Sequence, residues 1–568
     1  MRIGLKKMIS VLIITCFMST LLIACTKSKD ESVVTSTPGA SAEGSTTSAA
    51  PASPAASKLE PVTLNVMLWG DKPKQFDEVV AEFEKQTKDT LNTHLNVVWT
   101  PMADYVNKLK LKLAAGEQVD LAFDAPWMNM NQFIQQDNYY NLDEYFFNDK
   151  YPGLKKAFSD SFINNNKMMG IDQKLHTFGV PLGQYLGDLG ILYYRKDLAN
   201  KYGISDFKSE KDVEAYYDLV LKNEPNMIPF VERSDGNYNS DPVIQGDSSI
   251  MLAKADVNLW DVPIAPSIIA TALIKDNKVL SASITGGKTA DLQGFPAPFN
   301  QQNYDPLVAI RAWHDKGYTE KEPITRKDGA GTFAAGKAAS MIEGISNYAK
   351  ILGDLKAGVP TADLGMFVYQ KGQREMTQPN AVTDFRAFNF LTIPKSSKNL
   401  ERSMLFIDWL NQSQANHDFF ELGIPGKNWE AVGEDKFKYP DGIDQGQNYN
   451  IPAYELTWNP TYIRLPNAIP DEYIKYYRYL ADDKSYMKSA TAGFAFNGDI
   501  VKNALANPDL GKVVSDSVLY KLGMIPNPAV EMAKLQAKWE KNTALQADLQ
   551  KIKEEFVKQL QAFLDTQK

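Results

Sequence analysis

The sequence predicts an α/β protein built as two lobes, with an additional helical region at its C-terminal end. Three observations predict it. Strand and helix patterns alternate as βαβαβ between Val62 and Phe123, which specifies a parallel sheet with helical crossovers. The chain has 568 residues, near four times a typical domain of about 150, which is too long for one hydrophobic core. Finally, Leu545, Leu549, Ile552, Phe556, Leu560 and Phe563 recur at helical spacing near the end of the chain. Such a stripe marks one apolar helix face, expected to dock onto the second lobe, with a coiled-coil partner helix as the alternative.

Composition narrows the function. With 61 Lys+Arg against 69 Asp+Glu the net charge is −8, and hydrophobic residues make up 44%. That mixture belongs to a folded chain, and its mild acidity argues against nucleic acid as a partner, which needs a basic face. Only one apolar run approaches membrane-spanning length, at the very start, so a polytopic membrane protein is excluded.

That run sets the expected address. Arg2, Lys6 and Lys7 precede the apolar segment Ile9 to Ile23, the pattern of a secretory signal. It ends in Leu22-Ile23-Ala24-Cys25, which resembles the bacterial lipobox. The resemblance implies cleavage before Cys25, a lipid on its sulfur and anchoring to the outer face of the cell membrane. Cys16 would leave with the signal, so Cys25 would be the one thiol of the mature chain, with no disulfide despite an extracytoplasmic location. Residues 26–58 are rich in Ser, Thr, Ala, Pro and Gly without an aromatic residue. Such a segment buries too little to fold and reads as a tether reaching about 30 Å.

The folded part is expected from Leu59. Val62 to Trp69 is an apolar strand broken by Gly70-Asp71-Lys72-Pro73, and Phe76, Val79, Val80 and Phe83 follow at helical spacing. His94 to Thr100 is a second strand, stopped by Pro101. A helix then carries Met102, Tyr105, Val106, Leu109 and Leu113 and ends at Gly116, before a third strand, Asp120 to Phe123. In parallel sheets ligands sit beyond the carboxyl ends of the strands. Those ends are Trp69-Gly70-Asp71-Lys72 and Asp124-Ala125-Pro126-Trp127, each joining a carboxylate to an indole.

Five ordered segments resemble the sugar-binding extracellular solute-binding proteins of bacterial ABC importers. They are the strand with Trp69-Gly70-Asp71-Lys72; Gly116 to Leu121; Phe178-Gly179-Val180-Pro181 with Leu189 to Asp197; Phe333 to Ala339 with Met341 to Gly344; and Phe390 to Asn399 with the helix of Phe406, Trp409 and Leu410. Phe419 to Trp429 and Gly493 to Asn497 are similar to a lipoprotein subgroup with an extended C-terminal region, usually linked to oligosaccharide uptake. Near Ser346 only Tyr348 stands where maltodextrin binders place two tryptophans, so maltose is not carried over. The resemblance implies a two-lobed periplasmic-binding-protein-like fold with a hinge between its lobes. It also implies a carbohydrate ligand, permease subunits of an ABC transporter as partners, no cofactor and no catalysis. Lobe one is expected at 59–180 plus 334–394, and lobe two at 181–333 plus 395–568.

A sugar site needs aromatic planes for the C–H faces and carboxylates, amides or arginine for the hydroxyls. Trp69, Trp127, Tyr185, Tyr348 and Trp458 adjoin breaks in apolar runs and are candidate planes, core packing being the alternative for each. Asp71, Asp124, Asp188 and Glu343 adjoin apolar segments near expected strand ends or turns and are candidate hydroxyl partners, a helix cap or surface carboxylate being the alternative. Lys72, Asn347 and Arg386 are further candidates, though Arg386 could instead pair with Asp384. Asp71 and Asp124 would act from one side, Tyr185 and Asp188 from near the hinge, and Trp458 from the other. Replacing Asp71 and Asp124 together by alanine is expected to abolish binding with little change in the unliganded melting temperature.

Other chemistry finds little support. Asp235 to Asp241 spaces oxygens like the start of a calcium loop but lacks the sixth-place glycine and the closing glutamate. His94, His176, His314 and His417 are scattered, which speaks against zinc and any resident metal. GxSxG, GxxxxGK[ST] and GxGxxG are missing where chemistry would need them. Paired carboxylates from distant strands keep a secreted carbohydrate-active enzyme as one alternative, and a surface lipoprotein without a transport role is the other.

Overall fold

In the computed structural model, Val62–Trp69 (β1) and Thr93–Thr100 (β2) run parallel in register from Val62 opposite Thr93 to Trp69 opposite Thr100. Helices Phe76–Thr87 (α1) and Met102–Ala115 (α2) alternate with them, and Leu121–Asp124 (β3) joins the other edge of β1 in parallel. The structure describes residues 59–183, 190–232, 250–265, 268–326, 328–383, 387, 389–443, 447–449, 451, 453–459, 461–480 and 482–567. The expected lipobox with Cys25, the tether, the calcium-like loop and the candidates Tyr185, Asp188 and Arg386 lie outside the described residues.

The first sheet has the order β2, β1, β3, Asn389–Thr392, Val180–Leu182. Its last two strands run antiparallel to their neighbours, Phe390 opposite Asp124 and opposite Pro181. These are the crossing strands: after 180–182 the chain leaves the lobe, and at 389–392 it returns. The sheet is covered by α1, α2 and helices Leu400–Asn411 and Gln414–Leu422, around a core that includes Val66, Phe83, Phe123, Phe406 and Phe420. One buried carboxylate ties the layers: Asp120 accepts from the Asn65 amide at 2.8 Å and the Ser397 hydroxyl at 2.7 Å.

The second sheet places Gly190–Arg195 between Ser340–Gly344 and Leu364–Val368, antiparallel to both. This corrects the division expected from sequence. Strands 340–344 and 364–368 belong with 190–195 in the second lobe, whereas helices 400–411 and 414–422 pack into the first lobe's core. The pairing is decided by a partner strand some 150 residues away in sequence, which local apolar patterning does not encode.

A third packed body contains the antiparallel strands Leu259–Ala265, Ile268–Lys275 and Lys278–Ile284. Asp276 and Asn277 turn the last hairpin with φ of 51° and 57°, both left-handed as a type I′ turn requires. The long helix Thr543–Asp565 covers this sheet: Phe556, Leu560, Phe563 and Leu564 pack with Trp260, Val262, Ala270 and Ala272. The whole stripe from Leu545 to Phe563 is buried, because the helix covers an apolar face of the meander. Among the described residues no helix is long and apolar enough to cross a membrane.

Candidate functional site

The carboxyl ends of β1 and β3 lie side by side and carry the aromatic residues expected there. At the end of β1, Gly70 takes φ +95°, a conformation open to glycine and strained for other residues. Its amide donates to the Thr100 carbonyl at 2.8 Å, which turns the chain sharply after Trp69. The half-buried Trp69 meets Phe123 edge-on at 6.2 Å, and Phe123 lies 6.4 Å from Trp127. Trp127 is 50% exposed. Its indole N–H donates to Asn389 Oδ1 at 3.1 Å, so the ring is fixed by the strand through which the chain re-enters the lobe.

Trp127 opens onto a cavity of about 830 Å³. One wall is the segment 126–135 of the first lobe, the second is the strand Leu259–Ala265 with Lys254, and the third runs along 489–505. The volume lies in the upper part of the roughly 300–1,000 Å³ range of pockets that take drug-sized ligands. An exposed indole beside amides and hydroxyls suits a molecule with apolar faces and hydroxylated edges.

The remaining candidates fall in different places. Asp71 is exposed beside the Gly70 turn, outside the cavity lining, and Lys72 is an exposed cation bound to Asp77 at 2.6 Å. Asp124 is sealed in the interior and is corrected as a ligand contact. Its Oδ2 accepts from the Tyr139 hydroxyl at 2.5 Å and its Oδ1 from the Ala125 amide at 2.8 Å. Burial pushes its carboxyl up to about 7, against the opposing effect of those hydrogen bonds and one from the Asn129 amide. It is sealed because the ladder with 389–392 extends to Asp124 itself.

Tyr348 is likewise corrected: it is buried in the second lobe's core, its ring 6.1 Å from Tyr193 and 5.8 Å from Tyr473, its hydroxyl donating to the Leu364 carbonyl at 3.3 Å. Glu343 is half-buried on the strand 340–344 and accepts from the Gly344 amide at 2.9 Å; Asn347 is half-buried at the start of the helix Tyr348–Gly358. Trp458 packs against the first lobe's core, not on the opposite side, and its carbonyl accepts from the Gly183 amide at 3.4 Å. The structure thus brings Trp69 and Trp127 together, keeps Asp71 and Lys72 on the adjoining turn, and separates Glu343, Asn347 and Tyr348 into the second lobe.

Glu455 was not foreseen. It lies in the short helix Ala453–Leu456, 1% exposed, with one carboxyl oxygen 3.6 Å from where a Cβ on Gly70 would sit. The Trp69 backbone amide donates to it, while burial pushes its pKa up to about 9. Its signal in the sequence was a lone carboxylate in the aromatic run Tyr454 to Trp458. Trp260 and Asn131 were also missed, although the alternation through Leu259 to Ala265 marks Trp260 as one residue of a strand.

Comparison with known proteins bears on the family and the fold. The profile of the family described as bacterial extracellular solute-binding protein matches residues 69–417. A carbohydrate ABC transporter substrate-binding protein of Streptococcus pneumoniae serotype 4 is 22% identical over 451 residues, 77% of this chain and 79% of that protein. Among solved structures, the N-glycan transport solute binding protein NgtS from Streptococcus pneumoniae superposes with a TM-score of 0.65 at 19% identity, over 90% of this chain and all of that one. It has also been solved in complex with Man1GlcNAc and with Man5GlcNAc. An HMO-binding solute-binding protein associated with an ABC transporter, from Bifidobacterium longum infantis, gives 0.54 at 15% identity, over 89% and 99%. These likenesses show the two-lobed fold, and the profile match over more than half of the sequence shows the family: the chain belongs to the bacterial extracellular solute-binding proteins.

Proposed function

We propose that this protein captures a carbohydrate, an oligosaccharide in particular, without altering it, and presents it to the permease subunits of an ABC transporter. The observation that carries the reading is the cavity beside Trp127, where an indole held by Asn389 faces walls from a separately packed body. Capture proceeds by closure about the crossing strands 180–182 and 389–392: a ligand touching both sides favours the closed form by its differential contacts. Trp127 supplies a plane for a sugar face at the cavity, with Trp69, Asp71 and Lys72 on the neighbouring strand end as further contacts. The carbohydrate chemistry named for the Streptococcus pneumoniae relative supports the same class of ligand. The signal-like segment ahead of Cys25 supports secretion and lipid anchoring at the outer face of the cell membrane. The tether would keep the binding unit within about 30 Å of that surface.

The test is a thermal-shift screen across mono- and oligosaccharides, peptides and organic acids. A ligand at a hundredfold excess over its Kd stabilises the protein by about 2.7 kcal/mol, and the expected result is a rise in Tm with oligosaccharides and none with peptides. No shift with any carbohydrate, or turnover of the oligosaccharide on incubation, would overturn the proposal.

A further inference from the structure

The C-terminal body is fastened to both lobes at places away from the crossing strands. Toward the first lobe the fastening is a short hairpin, Met168–Met169 with Leu175–His176. Its adjacent methionines enter different cores: Met168 is buried with the first lobe's apolar residues, Met169 among Trp260, Phe494 and Phe556 of the C-terminal body. The Met169 amide donates to the Gly493 carbonyl at 3.3 Å, and the Met169 carbonyl accepts from the Gln135 side chain at 2.8 Å. Gly493 takes φ +87°, and a Cβ there would stand 3.0 Å from both Leu175 Cδ2 and the Lys167 carbonyl oxygen, a separation suited to glycine. The base of the hairpin is held by Asp143, which accepts from the Thr177 amide at 3.0 Å and hydroxyl at 2.9 Å and lies 2.8 Å from His176 Nδ1.

Toward the second lobe the fastening is the helix Asp305–Lys316. Its Ile310 and Trp313 are buried in the core around Leu192 and Tyr194, while Arg311 Nη1 donates to the carbonyls of Gly523 and Met524 at 3.1 Å each. Gly523 follows the helix Pro508–Lys521, whose Leu510 and Val513 pack with the meander and the long C-terminal helix. It has φ +69°, and a Cβ there would stand 2.7 Å from the Ile310 carbonyl oxygen. The meander lies in sequence between the second lobe's strands 190–195 and 340–344, so that lobe carries the body. The hairpin is then a bond across the cleft, joining Gln135 of one cavity wall to the segment 489–505 of another.

From these contacts we infer that the C-terminal body is a brace between the lobes, and that the hairpin 168–176 is the catch by which it limits how far the unliganded cleft opens. Lobes joined by crossing strands alone sample wide states that a ligand must reverse. A catch beside the cavity holds the lobes near the separation at which one ligand touches both, which raises the fraction of molecules competent to bind. The brace rests on the hinge motion proposed above and not on the nature of the ligand.

Small-angle X-ray scattering of the full chain without ligand tests it, with titration calorimetry against Man5GlcNAc as a second readout. Met169→Ala withdraws the catch from the C-terminal core, and Arg311→Ala releases the other end of the brace. Each is expected to raise the radius of gyration by about 1 Å with far-UV circular dichroism unchanged. A cleft about tenfold less often at the competent width should bind Man5GlcNAc about tenfold more weakly. Hydrogen exchange of the wild-type Met169 amide reads the catch without any substitution, and protection of about a hundredfold or more over an unstructured peptide is expected. An unprotected Met169 amide, or an unchanged radius in both variants, overturns the inference and leaves the carbohydrate reading standing. A wild-type chain that binds no glycan, with both variants swollen, overturns the carbohydrate reading and supports the brace.

Discussion

Replacing Glu455 by glutamine should stabilise the protein at neutral pH and leave it unchanged in acid. Glu455 is sealed beneath the Trp69–Gly70 turn and carries a pKa pushed up from 4.5 to about 9 by burial. An acid whose folded pKa is raised binds its proton more tightly in the folded state. Its contribution is then fully present below the unfolded value near 4.5 and is lost as pH rises toward 9. At pH 7 the loss is the span from 4.5 to 7, about 3 kcal/mol at roughly 1.4 kcal/mol per unit. Glutamine keeps the acceptor for the Trp69 amide but does not titrate. His417, where Glu421 and Asp418 outweigh burial and raise its pKa to about 9, also favours the folded state at low pH; it is the same in both proteins and cancels from their difference. Denaturant midpoints of both proteins between pH 4 and 8 are the assay. The gap should open from near zero at pH 4 to about 3 kcal/mol at pH 7 and about 5 kcal/mol at pH 8, in favour of the variant. A gap that does not vary with pH would refute the reasoning, because it would mean that Glu455 does not titrate differently in the folded state.

Three further outcomes are expected. Trp127→Ala should weaken glycan binding by about tenfold, the upper part of what an aromatic contact is worth beyond its area, with the unliganded melting curve little moved because the ring is half-exposed. Asp124→Ala should cost about 1–3 kcal/mol in denaturant unfolding, since it strands the buried Tyr139 hydroxyl; the expectation that this substitution spares the unliganded melting temperature is thereby withdrawn. Phe556→Ala, at a fully buried position beside Phe494 at 6.1 Å, should cost about 3–5 kcal/mol and also lower glycan affinity, because Phe494 lines the cavity.

The sequence disclosed what is local. β1, α1, β2, α2 and β3 follow from apolar spacing and punctuation by Gly70, Pro101 and Gly116, and the C-terminal stripe follows from its period. Pairing across long separations was not legible: nothing in Ser340–Gly344 tells whether the strand joins the first sheet or Gly190–Arg195. The same limit governed the carboxylates. Asp71 and Asp124 look alike as residues after a strand, but the returning strand covers Asp124 and leaves Asp71 in solvent. Tyr348 did carry a warning, since Tyr348, Ile351 and Leu355 share one helix face and all are buried.

The buried acids explain why Trp69 and Trp127 stand where they do. Asp124 accepts from Tyr139 and from the amides that open the turn to Trp127, and Glu455 accepts from the amide of Trp69. Tyr105 lies between them, its hydroxyl donating to the carbonyls of Met67 and Phe123, which joins β1 to β3 just behind both rings. Burying two carboxyls with no cationic partner among the described residues opposes folding, and a hydrocarbon core would be the cheaper choice if stability alone mattered. What the polar groups add is direction: each fixes a specific backbone amide, which apolar packing cannot do. A binding protein gains from that rigidity because ordering its rings before the ligand arrives removes an entropic cost from capture. Asp124, corrected as a ligand contact, and Glu455, which the sequence did not suggest, are thus positioning residues for Trp127 and Trp69 in the proposed binding role of those rings.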